Sequence, residues 1–156
     1  MRDFQQVESI IEVSAKIFLN IPELCFCIQR VILYPTPPLY DIHTQEITTK
    51  FDRALNLIFR IIDVDSDFWL SDHELNEFHL RVYSNELSNT DIDGIKEVVN
   101  AHCREGVDEK GISLEGFKSM QILLLQKTKV NLCWQVLEAF GFDSDLNLKW
   151  GSLSSL

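Results

Sequence analysis

Apolar residues recur three and four positions apart through most of the chain after about residue 46. Side chains with this spacing share one face of an α-helix, so each run predicts one helix with a buried side. Five runs follow one another and predict two helix–loop–helix units and then one further helix. The apolar positions are Ile47, Phe51, Leu55, Ile58, Phe59 and Ile62; Leu75, Phe78 and Val82; Ile92, Ile95, Val99 and His102; Leu114, Phe117, Met120 and Leu124; and Val130, Cys133, Trp134, Leu137 and Phe140, closed by Gly141.

The chain before residue 46 has a different pattern. Residues 7–15 are rich in β-branched side chains and predict one buried strand. Asn20, Pro22 and Glu23 are typical of a helix start, with Asn20 as the capping residue and Pro22 in the first turn. The prolines among residues 35–38 end this helix and predict a stiff linker.

Composition narrows the possible functions. The chain has 156 residues and a formal net charge of -10, which argues against nucleic acid as a partner because phosphate binding needs clustered lysine and arginine. No apolar run approaches the roughly 18 residues of a membrane span, and the first residues lack the pattern of a secretory signal. We therefore expect no direct membrane insertion, a cytoplasmic location and reduced cysteines.

The cysteines and histidines do not predict a metal or catalytic site. No C-x-x-C pair occurs, and the cysteines lie at apolar positions, so buried structural thiols are expected rather than a zinc site or a disulfide. No two histidines are four residues apart, so solvent or core histidine is the expected role. These residues are Cys25, Cys27, Cys103 and Cys133, and His43, His73, His79 and His102.

Residues 63–74 lie between two predicted helices and have the spacing of an EF-hand calcium loop. Calcium is a hard cation that takes about six to eight oxygen ligands, and such a loop supplies them from positions 1, 3, 5, 7, 9 and 12. The predicted ligands are Asp63, Asp65, Asp67, the Trp69 carbonyl, Ser71 (through water) and bidentate Glu74. The alternative is an acidic turn between helices that binds no metal.

One residue in this loop opposes the prediction. Position 6 normally carries glycine, because the chain turns there with a positive φ, and this sequence has Phe68. A bulky residue in that conformation costs about 1–2 kcal/mol. We therefore expect calcium binding weakened about 5- to 30-fold rather than abolished.

The sequence of the second helix–loop–helix unit predicts an EF-hand that binds no metal. With Ile112 at position 8, the residues at positions 1, 3, 5 and 12 are Glu105, Val107, Glu109 and Gly116. Valine and glycine side chains cannot bind calcium. This second EF-hand is therefore expected to have a structural role, in which Ile112 pairs with Leu70 of the first loop. The acidic Asp91 and Asp93 are expected at a helix N-terminus, where carboxylates favour the helix dipole.

Taken together, these motifs resemble the mitochondrial Rho GTPases, the Miro family. The likeness rests on the calcium loop, on GISLEGF at residues 111–117 and on WQVLEAFGFDSDL at residues 134–146. Further towards the N-terminus, EVSAK at residues 12–16 is similar to the guanine-contacting Ser-Ala motif of a small GTPase, and VILYPTPPLY at residues 31–40 to its exit into the hands. In that family, the hands are followed by a helix that occupies their own hydrophobic cleft like an internal ligand.

The resemblance implies a mainly α fold, with paired EF-hands, one intact and one degenerate, and a cleft-filling C-terminal helix, preceded by a β-α remnant of a small GTPase domain. The implied divisions are a GTPase remnant at 1–34, a proline-rich linker at 35–45, the EF-hand pair with its ligand-mimic helix at 46–148, and a tail at 149–156. No phosphate-binding G-x-x-x-x-G-K-[ST] motif and no Asn-Lys-x-Asp guanine-reading motif occurs in the sequence, and the one Thr-Lys-x-Asp match, residues 49–52, lies within the first predicted helix of the EF-hand pair. We therefore expect a truncated, non-catalytic form.

Three functions fit these observations. The leading hypothesis is a calcium-binding regulatory module, and the second is a structural adaptor whose first loop binds no metal. The third is a piece of a longer GTPase involved in mitochondrial movement and maintenance. The resemblance implies work at the cytosolic face of the mitochondrial outer membrane, reached through a partner or a longer isoform. The N-terminal remnant is expected to bind a partner protein or a second copy of the chain.

Overall fold

In the computed structural model, the described residues are 11–17, 19–33, 39–41, 44, 46–127 and 129–149. The helices are α1 Ile21–Leu33, α2 Thr49–Ile62, α3 Asp72–Tyr83, α4 Asn89–His102, α5 Leu114–Gln126 and α6 Val130–Ala139. The strands are β1 Tyr40–Asp41, β2 Glu46–Ile47, β3 Trp69–Leu70, β4 Val107–Asp108 and β5 Gly111–Ser113. The predicted order of two helix–loop–helix units and one further helix is confirmed.

Local sequence signals set the ends of these helices. The Thr48 side chain accepts a hydrogen bond from the backbone N–H of Phe51 and caps α2. At the starts of α3 and α4, Ser71 and Ser88 form capping boxes with the residues three positions on, Glu74 and Asp91. Asp91 thus lies at a helix N-terminus, as predicted. Ile47 belongs to β2 rather than to α2, a correction to the predicted helix boundary.

The end of α6 has the geometry of a Schellman motif. Gly141 has a φ of +80°, which a residue without Cβ adopts readily. The N–H of Phe142 donates to the Leu137 carbonyl at 2.9 Å, and the N–H of Gly141 donates to the Glu138 carbonyl at 3.0 Å. Gly141 therefore ends the helix as the sequence predicts.

A short antiparallel sheet joins the two helix–loop–helix units. β3 pairs with β5, and β5 pairs with β4. In this register Leu70 lies opposite Ile112, and both side chains are fully buried. The predicted pairing of the two loops through these residues is confirmed.

Aromatic contacts connect the hydrophobic cores of the two helix–loop–helix units. Phe117 of α5 makes edge-to-face contacts with Phe59 of α2 and Phe78 of α3, with ring centroids 5.9 and 5.4 Å apart. Phe78 also stacks on Phe140, which directly follows α6. Such contacts add to the free energy gained by burying the rings.

Helix α6 packs against α3 and α5, the exit helices of the two units. Its side chains at Cys133, Trp134 and Leu137 are buried in the common core. The guanidinium of Arg81 in α3 lies 4.3 Å from the centre of the Phe140 ring. The mainly α fold of paired hands with an additional C-terminal helix is confirmed.

The strand predicted over residues 7–15 is not borne out in its described part; residues 7–10 lie outside the described residues. Residues 11–13 have no regular secondary structure, and Ser14 forms an isolated bridge with Leu19. The helix predicted to follow is α1, but Asn20 does not cap it. Asn20 has a φ of +51°, and its side-chain amide donates to the Glu12 carbonyl. Of the proline-rich linker at 35–45, residues 35–38, 42–43 and 45 lie outside the described residues.

The predicted burial of all four cysteines is wrong for three of them. Only Cys133 is buried, whereas Cys27 and Cys103 are partly exposed and Cys25 is exposed. All four are free thiols, and burial raises the pKa of Cys133 to about 12. His102, placed on the buried face of α4 by its spacing, is exposed. No helix among the described residues is long and apolar enough to span a bilayer.

Candidate metal centre

The first interhelical loop brings three of the predicted ligands together. Asp63, Asp65 and Asp67 each place a carboxylate oxygen so that all three oxygens lie within 4.8 Å of one another. Asp63 is 6% exposed, whereas the other two carboxylates face solvent. One wall of the site is therefore protein interior and the other is open to water.

Hydrogen bonds within the loop hold these carboxylates in place. Asp63 accepts from the backbone N–H groups of Asp67 and Phe68, both at 3.1 Å. The N–H of Trp69 donates to Asp67 Oδ1 at 2.8 Å. Backbone donors to carboxylates fix the side-chain rotamers and stabilise the charged form.

Glu74 closes the loop from the first turn of α3. Its Oε1 accepts from the Val64 N–H at 2.8 Å, and its Oε2 accepts from the N–H and hydroxyl of Ser71 at 2.9 and 2.7 Å. Glu74 is buried but is not among the carboxylates that lie within 4.8 Å of one another. The carboxylate therefore links the two ends of the loop.

The two buried carboxylates have opposite pKa shifts. Burial raises the pKa of Asp63, and the nearby charges of Glu74 and Asp65 add to the effect, although the N–H groups of Phe68 and Asp67 oppose it. Burial also acts to raise the pKa of Glu74, but the hydrogen bonds from Ser71 and Val64 outweigh it, so this pKa is lowered. A nearby cation would favour the charged form of Asp63 and so oppose the effect of its burial.

The remaining two predicted ligands lie on the same loop. Trp69 is half-buried in β3 and pairs with Ser113 of the second unit. Ser71 is the N-cap of α3, and its hydroxyl is hydrogen-bonded to Glu74.

Phe68 has the backbone conformation that its position in the loop predicts. Its φ is +69°, a left-handed value that is unfavourable for a bulky residue, and its side chain is 73% exposed. The exposed ring therefore buries little apolar surface to offset the backbone strain. Ser66, two residues earlier, also has a positive φ of +60°.

The sequence reasoning missed one charged residue at this site. Lys110, in the turn between β4 and β5, places its Nζ 3.7 Å from Asp67 Oδ2. The pairing of Leu70 with Ile112 was the signal that could have found it, because Lys110 is only two residues before Ile112. A residue of the second loop thus contacts a predicted ligand of the first.

The second loop is closed by its own backbone. β4 and β5 form a tight hairpin in which Asp108 lies opposite Gly111. A Cβ built on Gly116 would lie 2.2 Å from the Gly106 carbonyl oxygen. Position 12 of this loop has no room for a glutamate, which supports the prediction of a hand without metal.

This close approach makes Gly116 sensitive to the smallest substitution. We expect Gly116→Ala to lower the free energy of unfolding by about 1–3 kcal/mol, because the added methyl group meets backbone that cannot rotate away. Gly94→Ala is the matched control, since a Cβ there has nothing within 4 Å and the residue lies inside α4. That change should raise stability by roughly 0.5–1 kcal/mol. Urea denaturation of both variants checks the pair, and equal effects would contradict the proposed contact.

Comparison with known proteins shows which families this chain is similar to. Residues 85–155 match the family model described as "EF hand associated". The chain is 36% identical to mitochondrial Rho GTPase 1 of Arabidopsis thaliana, over 95% of this chain and 23% of that protein. It is 34% identical to the Caenorhabditis elegans and Caenorhabditis briggsae proteins of the same name, over 92% of this chain and 23% and 22% of theirs. The chain resembles the mitochondrial Rho GTPase family.

The similarity to the mitochondrial Rho GTPases covers nearly all of this chain but less than a quarter of the length of these relatives. The "EF hand associated" match begins near the end of α3 and runs through the second loop and α6. It therefore includes the loop closed by Gly106 and Gly116 and the helix that packs against both hands. The three aspartates of the first loop lie before it, so the match does not include the candidate metal site.

Proposed function

We propose that this chain is a calcium-binding regulatory module that binds one ion in the loop of residues 63–74. The observation that carries the proposal is the convergence of three aspartate carboxylates beside a buried Glu74. The proposed ligands are Asp63, Asp65, Asp67, the Trp69 carbonyl, Ser71 and Glu74. On binding calcium, the module would regulate the protein of which it is part or a partner protein.

The donor set fits a hard divalent cation. All six groups offer oxygen, and four of them are carboxylates, which calcium prefers over nitrogen or sulfur. Each carboxylate oxygen has two lone pairs, so a hydrogen bond from the backbone leaves capacity for a metal. Crowded like charges are unfavourable, and a bound divalent cation would relieve their repulsion.

Calorimetric titration of the metal-stripped chain with calcium tests the proposal. One site per chain is the expected stoichiometry, with an affinity below that of a loop with glycine at position 6. Tryptophan fluorescence gives a second readout, because Trp69, one of the three tryptophans, is half-buried in β3 beside the loop. A chain that shows neither heat nor a spectral change at millimolar calcium would refute metal binding.

A structural adaptor without metal is the second candidate. The strained φ of +69° at Phe68 favours it, because this strain opposes formation of a tight loop. The same titration separates the two, since the adaptor predicts a folded chain whose thermal stability does not respond to calcium. Mass action requires a calcium-binding chain to become more stable as calcium rises above its Kd.

We further propose that the chain has no catalytic role of its own. The sequence has no phosphate-binding loop and no Asn-Lys-x-Asp motif, and its one match to Thr-Lys-x-Asp, residues 49–52, forms the first turn of α2. A fluorescent GTP analogue at micromolar concentration is expected to show no change in anisotropy with this chain. Saturable binding that unlabelled GTP displaces would contradict this expectation. It would favour the third possibility, that the chain acts as a piece of a longer GTPase of mitochondrial movement and maintenance.

The N-terminal segment is the proposed place for a partner protein or a second copy of the chain. Ile28 and Ile32 of α1 are 51% and 72% exposed and lie four residues apart, so they share one helix face, and burial of that apolar face against a partner would be favourable. We propose a cytoplasmic location, or one at the cytosolic face of the mitochondrial outer membrane through such a partner. Analytical ultracentrifugation of the chain and of Ile32→Asp checks self-association, which the variant should weaken.

A further inference from the structure

The turn between β4 and β5 is held against the first loop by backbone contacts. β5 pairs with β3, and this pairing fixes the position of Gly111, which has a φ of +143°. A Cβ on Gly111 would lie 1.9 Å from the Leu70 carbonyl oxygen, so only glycine fits there. The residue just before it, Lys110, is thereby placed next to the proposed calcium loop.

The charged ammonium group of Lys110 lies close to one of the proposed ligands. Its Nζ lies 3.7 Å from Asp67 Oδ2, while Asp67 Oδ1 accepts the Trp69 N–H. The lysine side chain is 59% exposed and the aspartate side chain 37% exposed. Among the described residues, this is the ion pair that links the two loops.

We propose that Lys110 is an affinity-determining residue of the calcium site, a cation that the metal-free second hand supplies to compete with calcium for Asp67. The inference rests on the proposed calcium binding and assigns the second loop a part in it. Lys110 and the ion would favour the same carboxylate and would repel each other. Calcium binding would therefore require Lys110 to leave Asp67, and calcium affinity would be set lower than the ligands alone allow.

The size of the effect follows from the exposure of the pair. Exposed ion pairs contribute little because water and salt screen them. Removing the lysine charge should therefore tighten calcium binding only about two- to fivefold. The same screening predicts that the gain shrinks as ionic strength rises from about 0.01 M to 1 M.

Other charges near the turn do not account for such an effect. Asp108 and Glu109 also lie at this turn, but they carry negative charge and would favour a cation rather than compete with it. The Asp108 carboxylate accepts the Glu109 N–H, which keeps it within its own hairpin.

The test compares calcium Kd values for the full chain, Lys110→Met, Lys110→Arg and Lys127→Met, measured by calorimetry at low and high salt. Lys127 is an exposed lysine at the far end of α5, about 20 Å along the helix from β5. Lys127→Met therefore makes the same change in net charge away from the loop. Lys110→Arg keeps the positive charge beside Asp67.

The expected result is a two- to fivefold lower Kd for Lys110→Met at low salt, with little change in the other two variants. An equal gain in both methionine variants would show that net charge alone is responsible and would overturn the role of Lys110. Equal Kd values in all four proteins would overturn it as well, while leaving calcium binding intact. Absence of calcium binding in every protein would refute the proposed function itself, and the inference with it.

Discussion

Glu74→Gln is expected to lower the calcium affinity by roughly 100-fold or more. Glu74 is the ligand predicted to give calcium both oxygens of its carboxylate, and the substitution removes its charge and one acceptor. Both of its oxygens also accept hydrogen bonds, from Val64 and from Ser71. A glutamine would turn its NH₂ group towards one of these donors and leave an N–H without an acceptor.

The loss of these hydrogen bonds should also appear in the calcium-free stability. We expect about 1–3 kcal/mol of destabilisation, measured by urea denaturation in the presence of a chelator. Glu77→Gln is the control, because Glu77 is exposed on the same helix and makes the same change in charge. Unchanged calcium affinity in Glu74→Gln would mean that the loop does not bind through position 12, and the proposed ligand set would be wrong.

The second large effect is expected at Phe68. Phe68→Gly should tighten calcium binding by about 5- to 30-fold if the roughly 1–2 kcal/mol of strain that a Cβ brings at a φ of +69° is recovered on binding. The Phe68 side chain is 73% exposed, so its removal forfeits little apolar burial. Calorimetry gives the affinity, and thermal melts with and without calcium show in which state the strain is released.

Two further variants separate backbone strain from side-chain effects. Phe68→Asn should give an intermediate gain, because asparagine tolerates the left-handed region better than phenylalanine does. Val64→Gly removes another exposed apolar side chain of the loop at a position without a positive φ, and it should not tighten binding. If Val64→Gly gains as much as Phe68→Gly, relief of strain is not the cause.

The double variant Phe68→Gly with Glu74→Gln combines the two effects. Calcium affinity should stay low in it, because a relaxed backbone cannot replace the missing carboxylate oxygen. Should Phe68→Gly itself leave a loop that does not bind, the ligands are not assembled, and the adaptor would replace the calcium module as the proposed function.

The sequence by itself determined the features that depend on near neighbours. Helical spacing predicted α2 to α6 because residues three and four apart share one helix face whatever packs against them. The box from Ser71 to Glu74 predicted the start of α3 because its hydrogen bonds join residues three positions apart. The positive φ at Phe68 was predictable because the turn of a twelve-residue loop is set by the loop itself.

Pairing between distant segments could be predicted only where a known loop pattern, here that of paired EF-hands, sets which residues lie opposite each other. Aligning Ile112 with Leu70 at position 8 of the two loops gave the correct register of β3 and β5. The strand expected over residues 7–15 had no such pattern, and its described part is irregular. A strand depends on a neighbour for its hydrogen bonds, so β-branched composition alone does not determine one.

Only the tertiary structure decided which groups meet across the molecule. It placed Lys110 beside Asp67 and the Gly106 carbonyl against Gly116, and it left Cys25 exposed although its spacing suggested a buried face. These outcomes depend on how separate elements pack, because a side chain's surroundings come from residues far away in the sequence. The proposed ligands can therefore be read from the sequence, whereas the position of Lys110 beside Asp67 depends on how the second loop folds against the first.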